Sequence, residues 1–292
     1  MTQFSVCAIV VTFHPDPDVL ENLALLRKQF QRVLVVDNGS LPHTLGPLRR
    51  AADQHDYLVV ENGVNLGIAA ALNRGARQAA KEGYEWVALF DQDSVVAPGF
   101  MDAMFKGMEE SSLPTKPAIY VPRYFDRGSG EEMQPVKEPG GELLVARTSG
   151  CLIPLWVFDE CGWFIEELVI DQVDYEFCLR VRAKGYRIVQ CAQAMLRHSL
   201  GAPMVHRVLG MRLFGTTNHN PARRYYLARN RTWLLKKYWA SYPTWCSGLC
   251  ILTLKEIVKI LLVENRRWSK LGHTLLGLYD GVIGRMGMTV KL

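Results

Sequence analysis

Two aspartates follow an apolar run in the first third of the chain. Residues 87–90 are apolar, and Asp91 and Asp93 come directly after them, one residue apart. Apolar runs of this length are typical of buried parallel strands, and ligands of open α/β sheets bind beyond the carboxyl ends of such strands. Two carboxylates there can share a divalent cation that also holds a diphosphate. Such pairs are also common in turns and helix caps, so the pair alone leaves a purely structural interpretation open.

Alternating strand and helix patterns predict the sheet that positions this pair. Short apolar runs rich in β-branched residues predict four strands, at residues 6–11, 33–36, 57–61 and 86–90. Apolar residues at helical spacing predict helices between them, at residues 18–30, 45–54 and 68–81. This alternation favours a doubly wound α/β sheet with right-handed crossovers. Thr12, Asp37 and Asp91 then lie along one edge of the sheet, where this fold places its ligand.

Patterns in the second half of the chain are more varied. Residues 123–142, rich in Gly, Glu and Pro, predict a surface loop or a loose hairpin, and residues 143–146 resume the sheet. Residues 171–184 predict a helix and residues 186–189 a late strand. The chain from Tyr225 onward is helical, basic and aromatic.

The composition is that of a folded globular protein. Hydrophobic residues make up 49% of the 292 residues, too many for a disordered chain. No run reaches the roughly 18 apolar residues of a membrane-spanning helix, and the N-terminus carries no secretory signal pattern. The seven cysteines show no Cys-x-x-Cys spacing, which predicts reduced cytosolic thiols rather than disulfides or a zinc site.

Charge is divided unevenly along the chain. Residues 1–196 carry 18 Lys/Arg and 26 Asp/Glu, a net charge of −8, whereas residues 197–292 carry 16 and 3, a net charge of +13. A basic C-terminal part behind an acidic body predicts contact with an anionic partner, either nucleic acid or a membrane surface. The Trp and Leu content of that part argues against nucleic acid.

Seven short motifs occur in order between about residues 5 and 230. They comprise residues 11–13, 35–40, 65–75, 90–94, 149–150, 171–176 and 198–201. Together they resemble the inverting family 2 glycosyltransferases of the GT-A fold, and Asp-Gln-Asp at 91–93 favours the bacterial rhamnosyltransferase branch, which uses dTDP-rhamnose. The resemblance implies a Rossmann-like, doubly wound mixed sheet with a C-terminal helical extension.

The resemblance also implies a nucleotide-sugar site along the sheet edge. Its residues would be Thr12, Asp37, Asn65, Asn73, Arg74, Asp91 and Gly150. Asp37 would accept a hydrogen bond from the imide N–H of uracil or thymine, although it can equally cap the turn that Asn38 begins. Asn65 can also act as a simple N-cap, which is compatible with phosphate binding at a helix N-terminus.

A metal site is implied at Asp91, Asp93 and His198, with Mg²⁺ or Mn²⁺ as the ion. Such an ion would neutralise charge on the departing nucleoside diphosphate. Neutral imidazole is a sound Mn²⁺ ligand, but a lone His is more often structural, and that alternative stays open for His198.

Three acids crowd the start of the helix predicted at residues 171–184. An inverting transfer needs one base to take the acceptor hydroxyl proton as that oxygen attacks the anomeric carbon. The resemblance assigns this role to Asp174, with Asp171 or Glu176 orienting it or binding the acceptor. Acids in a first turn also interact favourably with the helix dipole, which is the structural alternative.

Two further sets of residues are candidates for acceptor binding. Trp163 and Phe164 would form a stacking wall for a sugar ring, or else belong to the core. A basic and aromatic cluster would bind the pyrophosphate of a lipid-linked acceptor, or else form a solvated helix face; its members are Arg223, Arg224, Tyr226 and Arg229.

The chain is predicted to divide near residue 232. The GT-A domain would span residues 1–232, with a nucleotide-binding half to about residue 95 and an acceptor half over 96–232. In the tail, residues 233–292, the charged Lys255, Glu256 and Lys259 fall on one side of an apolar stretch. This pattern predicts an amphipathic helix in the plane of an anionic membrane, and an interface between copies of the chain is the alternative.

Together these inferences predict a glycosyltransferase that lies peripherally on the cytoplasmic face of the cell membrane. It would move L-rhamnose from dTDP-β-L-rhamnose to a lipid-linked glycan of O-antigen, capsule or another cell-surface polysaccharide. Rival donors are UDP-galactofuranose, UDP-GlcNAc and UDP-glucose. A sugar-1-phosphate nucleotidyltransferase would share the sheet, nucleotide and metal, but the turn at residues 12–16 lacks the glycines of its phosphate loop.

Overall fold

The chain forms two compact units. A computed structural model describes residues 4–111, 117–138, 141–198, 204–208, 211–216 and 218–291. The first unit comprises Met1–Glu166 and Asp174–Ser199, and the second comprises Glu167–Val173 and Leu200–Leu292. This division differs from the predicted boundary at residue 232, which falls inside a continuous helix, Pro221–Tyr238.

The first unit contains most of the strands. Its elements in chain order are β1 (Val6–Thr12), α1 (Val19–Arg27), β2 (Arg32–Asp37), α2 (Pro42–His55), β3 (Tyr57–Glu61), α3 (Ile68–Lys81), β4 (Trp86–Asp91), β5 (Val95–Val96), α4 (Phe100–Glu110), β6 (Pro117–Asp126), β7 (Glu132–Met133), β8 (Val136–Lys137), β9 (Leu143–Val145), β10 (Leu152–Pro154), α5 (Trp156–Cys161), α6 (Val173–Ala183) and β11 (Arg187–His198). The four strands and three helices predicted in the first 95 residues are therefore present, with small shifts at their ends.

A mixed sheet forms the centre of this unit. Its strand order is β3-β2-β1-β4-β10-β6-β11-β5, and β7 pairs with β6 at the side. Strands β3, β2, β1 and β4 run parallel, whereas β10 runs antiparallel to both β4 and β6. The predicted doubly wound mixed sheet is confirmed.

The register of the parallel strands brings their polar ends together. Thr12 pairs with Asp37 across β1 and β2, and Val11 pairs with Asp91 across β1 and β4. Residues 87–90 of β4 are almost wholly buried, as expected for a strand covered on both faces. Thr12, Asp37 and Asp91 thus end neighbouring strands at one edge, as the sequence predicts.

Tight packing of α3 explains its small residues. A Cβ atom added to Gly75 would meet the side chains of Ile9 on β1 and Val36 on β2. Ala69, Ala71, Ala76 and Ala79 are fully buried on the same helix. Small side chains therefore let α3 lie close to the sheet.

Three later elements differ from the sequence prediction. Strand β6 extends to Asp126 and takes up the start of the predicted loop. Strand β9 pairs with β8 in a separate two-stranded sheet and does not resume the main one. Strand β11 is much longer than the predicted late strand, because it continues past an irregularity between Gln190 and Met195 and ends at His198.

The second unit is mainly helical. Its elements are a 3-10 turn (Glu166–Leu168) at its start, the antiparallel hairpin β12 (Met204–Val208) and β13 (Met211–Thr216), and the helices α7 (Pro221–Tyr238), α8 (Pro243–Val263) and α9 (Arg267–Ile283). None of the helices in the described part of the chain combines the length and the apolar composition needed to cross a membrane.

Charged side chains fill the interior of this helical unit. Arg224 pairs with Glu264 at 2.5 Å and with Glu256 at 3.0 Å, and Lys270 pairs with Glu264 at 2.8 Å. Arg231 adds a second cation to Glu256, at 2.8 Å. Buried charges persist only when they are paired and hydrogen-bonded, so these three cations and two anions form one mutually dependent network.

Candidate active site

Asp91, Asp93 and His198 meet at the carboxyl edge of the sheet. The imidazole Nε2 of His198 lies 3.9 Å from Asp91 Oδ2, and its Nδ1 lies 3.5 Å from Asp93 Oδ1. Ligand atoms of the three residues all fall within 4.8 Å of one another. The imidazole is largely buried, whereas more than a third of each carboxylate side chain is exposed. The cluster is therefore open on the side of the two acids.

Two serines orient this cluster, and the sequence interpretation gave them no role. Ser94 Oγ lies 3.1 Å from His198 Nδ1 and 2.6 Å from Ser149 Oγ. Ser149 Oγ in turn accepts the backbone N–H of Asp91 at 3.2 Å. The chain Asp91–Ser149–Ser94–His198 fixes the ring and the strand end together. Hydrogen bonds of this kind orient the residues that hold a metal.

The donor set suits Mg²⁺ or Mn²⁺. Carboxylate oxygens are the preferred ligands of both ions, and a neutral imidazole is acceptable to Mn²⁺. The residues present therefore fit the predicted ion, which Asp91, Asp93 and His198 would hold.

Asp37 is buried and caps a turn. Its Oδ2 accepts the backbone N–H groups of Gly39 and Ser40, and its Oδ1 accepts the hydroxyls of Ser40 and Thr12. The turn-capping alternative describes this geometry, and the predicted contact with a nucleobase stays a prediction. Thr12 is likewise buried against Asp37.

A network of asparagine amides joins the ends of β2 and β3. Asn38 Nδ2 donates to Asn65 Oδ1, and Asn38 Oδ1 accepts from Asn62 Nδ2 and from the backbone N–H of Leu66. Asn65 Oδ1 also accepts the N–H of Gly67, whose own conformation begins α3 without a side-chain cap. Asn65 thus joins parts of the loop through side-chain hydrogen bonds and is not the N-cap of α3.

Asn73 and Arg74 are engaged by other parts of the first unit. The Asn73 amide is fully buried and exchanges two hydrogen bonds with the backbone of Phe164, while also donating to Glu166. Arg74 is exposed and donates to the carbonyl of Glu61 at 3.1 Å. A direct nucleotide contact by Asn73 would require those bonds to break, and the predicted nucleotide contacts of Asn73 and Arg74 stay predictions.

Gly150 meets a conformational and steric constraint on the backbone between Ser149 and β10. It has a φ of +77°, and an added Cβ would lie 2.8 Å from Pro122 and 2.9 Å from Leu196. Its N–H donates to the carbonyl of Leu89 at 2.6 Å. These constraints account for the glycine, and its predicted contact with the nucleotide sugar stays a prediction.

Asp174 lies in the first turn of α6 and is partly exposed, and its predicted role as the base stays a prediction. Its Oδ1 accepts the backbone N–H of Tyr175 at 2.9 Å. Burial is the main reason that the pKa of the Cys151 thiol lies well above its ordinary value, and the negative charges of Asp174 and Asp91 add to this increase.

Two predicted acceptor residues of the first unit lie in its core. Phe164 is buried between Phe158 and Phe177, and Glu176 is buried in a bidentate pair with Arg180. Their burial gives both residues a packing role in this structure, and their predicted acceptor contacts stay predictions. Trp163, by contrast, is only half-buried; it stacks on Phe158 and carries the guanidinium of Arg77 4.7 Å from its ring centroid.

The basic and aromatic cluster is also mostly internal to its own unit. Arg224 is buried in the ion-pair network described above, and Tyr226 donates to the carbonyl of Val290. Arg229 is fully buried and donates to the carbonyls of Glu167 and Leu168. The predicted acceptor contacts of these three residues also stay predictions. Arg223 remains accessible at 40% of its side chain and pairs bidentately with Asp171.

Comparison with known proteins shows which family the chain resembles. Residues 7–146 match the family described as Glycosyl transferase family 2. A dTDP-rhamnosyl transferase, RfbF of Shigella flexneri, is 27% identical over 304 residues, with 97% of each chain covered. The first half of the chain is therefore similar to glycosyl transferase family 2. A poly-beta-1,6-N-acetyl-D-glucosamine synthase of Staphylococcus aureus (strain COL) is 30% identical to this glycosyltransferase over 92 residues, which cover 30% of this chain and 22% of the synthase.

Solved structures place this glycosyltransferase in the GT-A fold. The structure of S. aureus TarS superposes with a TM-score of 0.60 at 16% identity, over 97% of this chain and 49% of TarS, so the chain spans about half of that protein. The mannosyltransferase PcManGT from Pyrobaculum calidifontis, solved with GDP-Man and Mn²⁺, superposes with a TM-score of 0.57 at 16% identity, over 97% of this chain and 89% of that one. These similarities concern the fold alone.

Proposed function

We propose that this glycosyltransferase moves L-rhamnose from dTDP-β-L-rhamnose to a lipid-linked glycan. The reaction would require a bound metal ion and would invert the configuration at the anomeric carbon. The reaction class is carried by the convergence of Asp91, Asp93 and His198 at the carboxyl edge of the sheet. Similarity to a dTDP-rhamnosyl transferase along 97% of both chains supports the donor. An acceptor on the cytoplasmic face of the cell membrane fits the basic C-terminal part of the chain.

Each group of the site has one task in this reaction. Asp174 takes the proton of the acceptor hydroxyl while that oxygen attacks the anomeric carbon and the bond to dTDP breaks. Asp91, Asp93 and His198 would hold Mg²⁺ or Mn²⁺, which when bound supplies Lewis acidity toward the departing diphosphate. Ser94 and Ser149 keep the His198 ring and the Asp91 backbone in place. Because the product is inverted in a single displacement, no carboxylate nucleophile is required.

A thermal-shift panel of sugar nucleotides with and without Mn²⁺ tests the donor and the metal together. A ligand that binds only the folded state raises its melting temperature. We expect dTDP-rhamnose and dTDP to raise it in Mn²⁺ and to lose most of that shift in EDTA. The Asp93→Ala variant should lose the same part of the shift, whereas Asp102→Ala, on α4, should behave as wild type.

The panel separates the parts of the proposal. A shift confined to UDP-galactofuranose, UDP-GlcNAc or UDP-glucose would replace the donor and keep the reaction class. An equal shift in EDTA, together with an unchanged Asp93→Ala response, would contradict the metal role. Absence of a shift with every nucleotide would remove the support for a nucleotide-sugar site at this edge.

A further inference from the structure

The outer faces of α8 and α9 reverse the usual distribution of polarity. All three acidic residues beyond Tyr238 point inward: Glu264 and Asp280 are buried, and Glu256 is held by Arg224 at 3.0 Å. Asp280 accepts the hydroxyl of Tyr225 at 2.6 Å. The carboxylates of these helices therefore interact with groups inside the unit and do not lie on the outer faces.

Apolar residues occupy the outer faces instead. On α8 the exposed stripe is Ile251, Leu254, Val258 and Leu262, and on α9 it is Trp268, Leu275, Tyr279 and Val282. Steps of three, four or seven residues place each set on one side of its helix. Between 45% and 71% of each of these residues is exposed. Contiguous exposed apolar surface of this kind marks an interaction site.

Cations flank the stripes. Lys255 lies beside Leu254, Arg266 and Arg267 join the two helices, and Arg285 follows α9; all four are exposed. Because the acids face inward, the outer faces combine apolar side chains with positive charge. An apolar surface with a cationic border is complementary to an anionic bilayer.

We propose that these two stripes are a docking surface for an anionic lipid bilayer, with α8 and α9 lying in the plane of its headgroups. Trp268 and Tyr279 would lie at the headgroup level, where amphipathic rings are favoured. A second copy of the chain fits less well, because an isologous contact would bring the same four cations of both copies together. This inference deepens the membrane location in the proposed function and names the residues that produce it.

Vesicle flotation of the full chain tests the surface. We expect the protein to float with phosphatidylcholine vesicles that contain phosphatidylglycerol and to remain below with phosphatidylcholine alone. Leu254→Glu combined with Leu262→Glu should require about tenfold more anionic lipid for half-maximal flotation, and Lys255→Glu combined with Arg267→Glu should do the same. Matched controls in the first unit are Val136→Glu and Lys81→Glu, which should float as wild type. Leu254 and Leu262 in the stripe and Lys255 and Arg267 beside it are all exposed, so the melting temperatures of both double variants should stay unchanged.

Two results would overturn the proposal. Flotation that is unaffected by both stripe variants would place lipid binding elsewhere or make it nonspecific. A chain that fails to float but forms a dimer by light scattering, which Leu262→Glu dissociates, would identify a second copy as the occupant. The rise in melting temperature caused by dTDP-rhamnose with Mn²⁺ in vesicle-free solution provides a separate readout: its absence would contradict the proposed donor while leaving the flotation result intact.

Discussion

At the scale of single residues, Asp174 is the group to which the proposal assigns the proton transfer. It is partly exposed at the first turn of α6. Replacing Asp174 by Asn keeps its size and removes its basicity, and loss of a general base typically costs about 10² to 10⁴ in rate. We expect kcat to fall within that range while the melting shift caused by donor and Mn²⁺ is unchanged.

A matched variant distinguishes this loss from a general effect of charge. Asp159→Asn removes an exposed carboxylate from α5 and should leave kcat as in wild type. If Asp174→Asn keeps wild-type kcat, or if it abolishes the donor-induced shift, the base lies at another residue.

Gly39 shows how a backbone position supports the nucleotide edge. Its φ is +90°, and an added Cβ would lie 2.5 Å from the carbonyl carbon of Val64 and 2.7 Å from the nitrogen of Asn65. Gly63 has a φ of +74° but open space around it. Both substitutions to Ala carry left-handed strain of about 1–3 kcal/mol, and only Gly39→Ala adds a backbone collision.

The difference between these two variants measures the collision alone. We expect Gly39→Ala to lower the free energy of unfolding more than Gly63→Ala and also to weaken dTDP binding, measured by urea unfolding and calorimetric titration. Equal losses of unfolding free energy in the two variants would show that the loops at the ends of β2 and β3 can shift to accommodate the added Cβ.

At the scale of elements, α7 and α9 pack closely because α9 presents glycines. A Cβ on Gly281 would lie 2.6 Å from the carbonyl oxygen of Arg229 and from Thr232, and one on Gly277 would meet the carbonyl of Tyr225. Gly272, on the same helix, faces open space. Gly281→Ala should therefore destabilise the fold by about 1–3 kcal/mol through overpacking, as measured by urea unfolding.

Gly272→Ala is the control for helix propensity. Without a neighbouring atom to meet, it should stabilise the chain by about 0.5–1 kcal/mol, because Ala loses less backbone entropy than Gly in a helix. Stabilisation by Gly281→Ala as well would mean that the helices separate without cost.

At the scale of the whole molecule, stability should depend on pH through His219. Burial is the main cause that lowers the pKa of His219 from 6.5 to about 4, and the positive charge of Arg223 adds to it. The imidazole of His219 is therefore protonated near pH 6.5 in the unfolded chain but only near pH 4 in the folded chain. The contribution of neutral His219 to stability is present above pH 6.5 and is lost as pH falls from there through 4.

His219→Gln removes this dependence without introducing a charge. We expect its urea midpoint to change less than that of wild type between pH 7 and pH 5, with the remaining slope due to carboxylates. Parallel curves for the two proteins would show that His219 accepts a proton freely in the folded chain.

The sequence predicts the parallel half of the sheet and the acids at its edge, because those depend on local patterns. A buried strand and its polar end are predicted by residues 87–90 and the two acids after them, without reference to the rest of the chain. The structural roles of Arg224 and Arg229 could not be predicted in this way. A cluster of arginines resembles a solvated face until its partners are known, and Glu264, which pairs with Arg224, comes 40 residues later.

The length of β11 was equally hard to predict. A register irregularity between Gln190 and Met195 carries the strand on to His198, although exposed and buried residues do not alternate cleanly there. The serines that orient His198 were missed because hydroxyl hydrogen bonds across 55 and 104 residues have no local signal.

The segment before α6 has an unusual dependence on the order of synthesis. Val169, Asp171 and Gln172 all have left-handed backbone conformations without being glycine, and such residues persist only where their surroundings hold them. The amide of Asn230 donates to the carbonyls of Leu168, Ile170 and Asp171. Asn230 lies 62 residues after Leu168, so the ribosome releases the strained segment well before the side chain that holds it. A nascent chain that stops short of α7 therefore lacks the amide that holds this segment in its left-handed conformation.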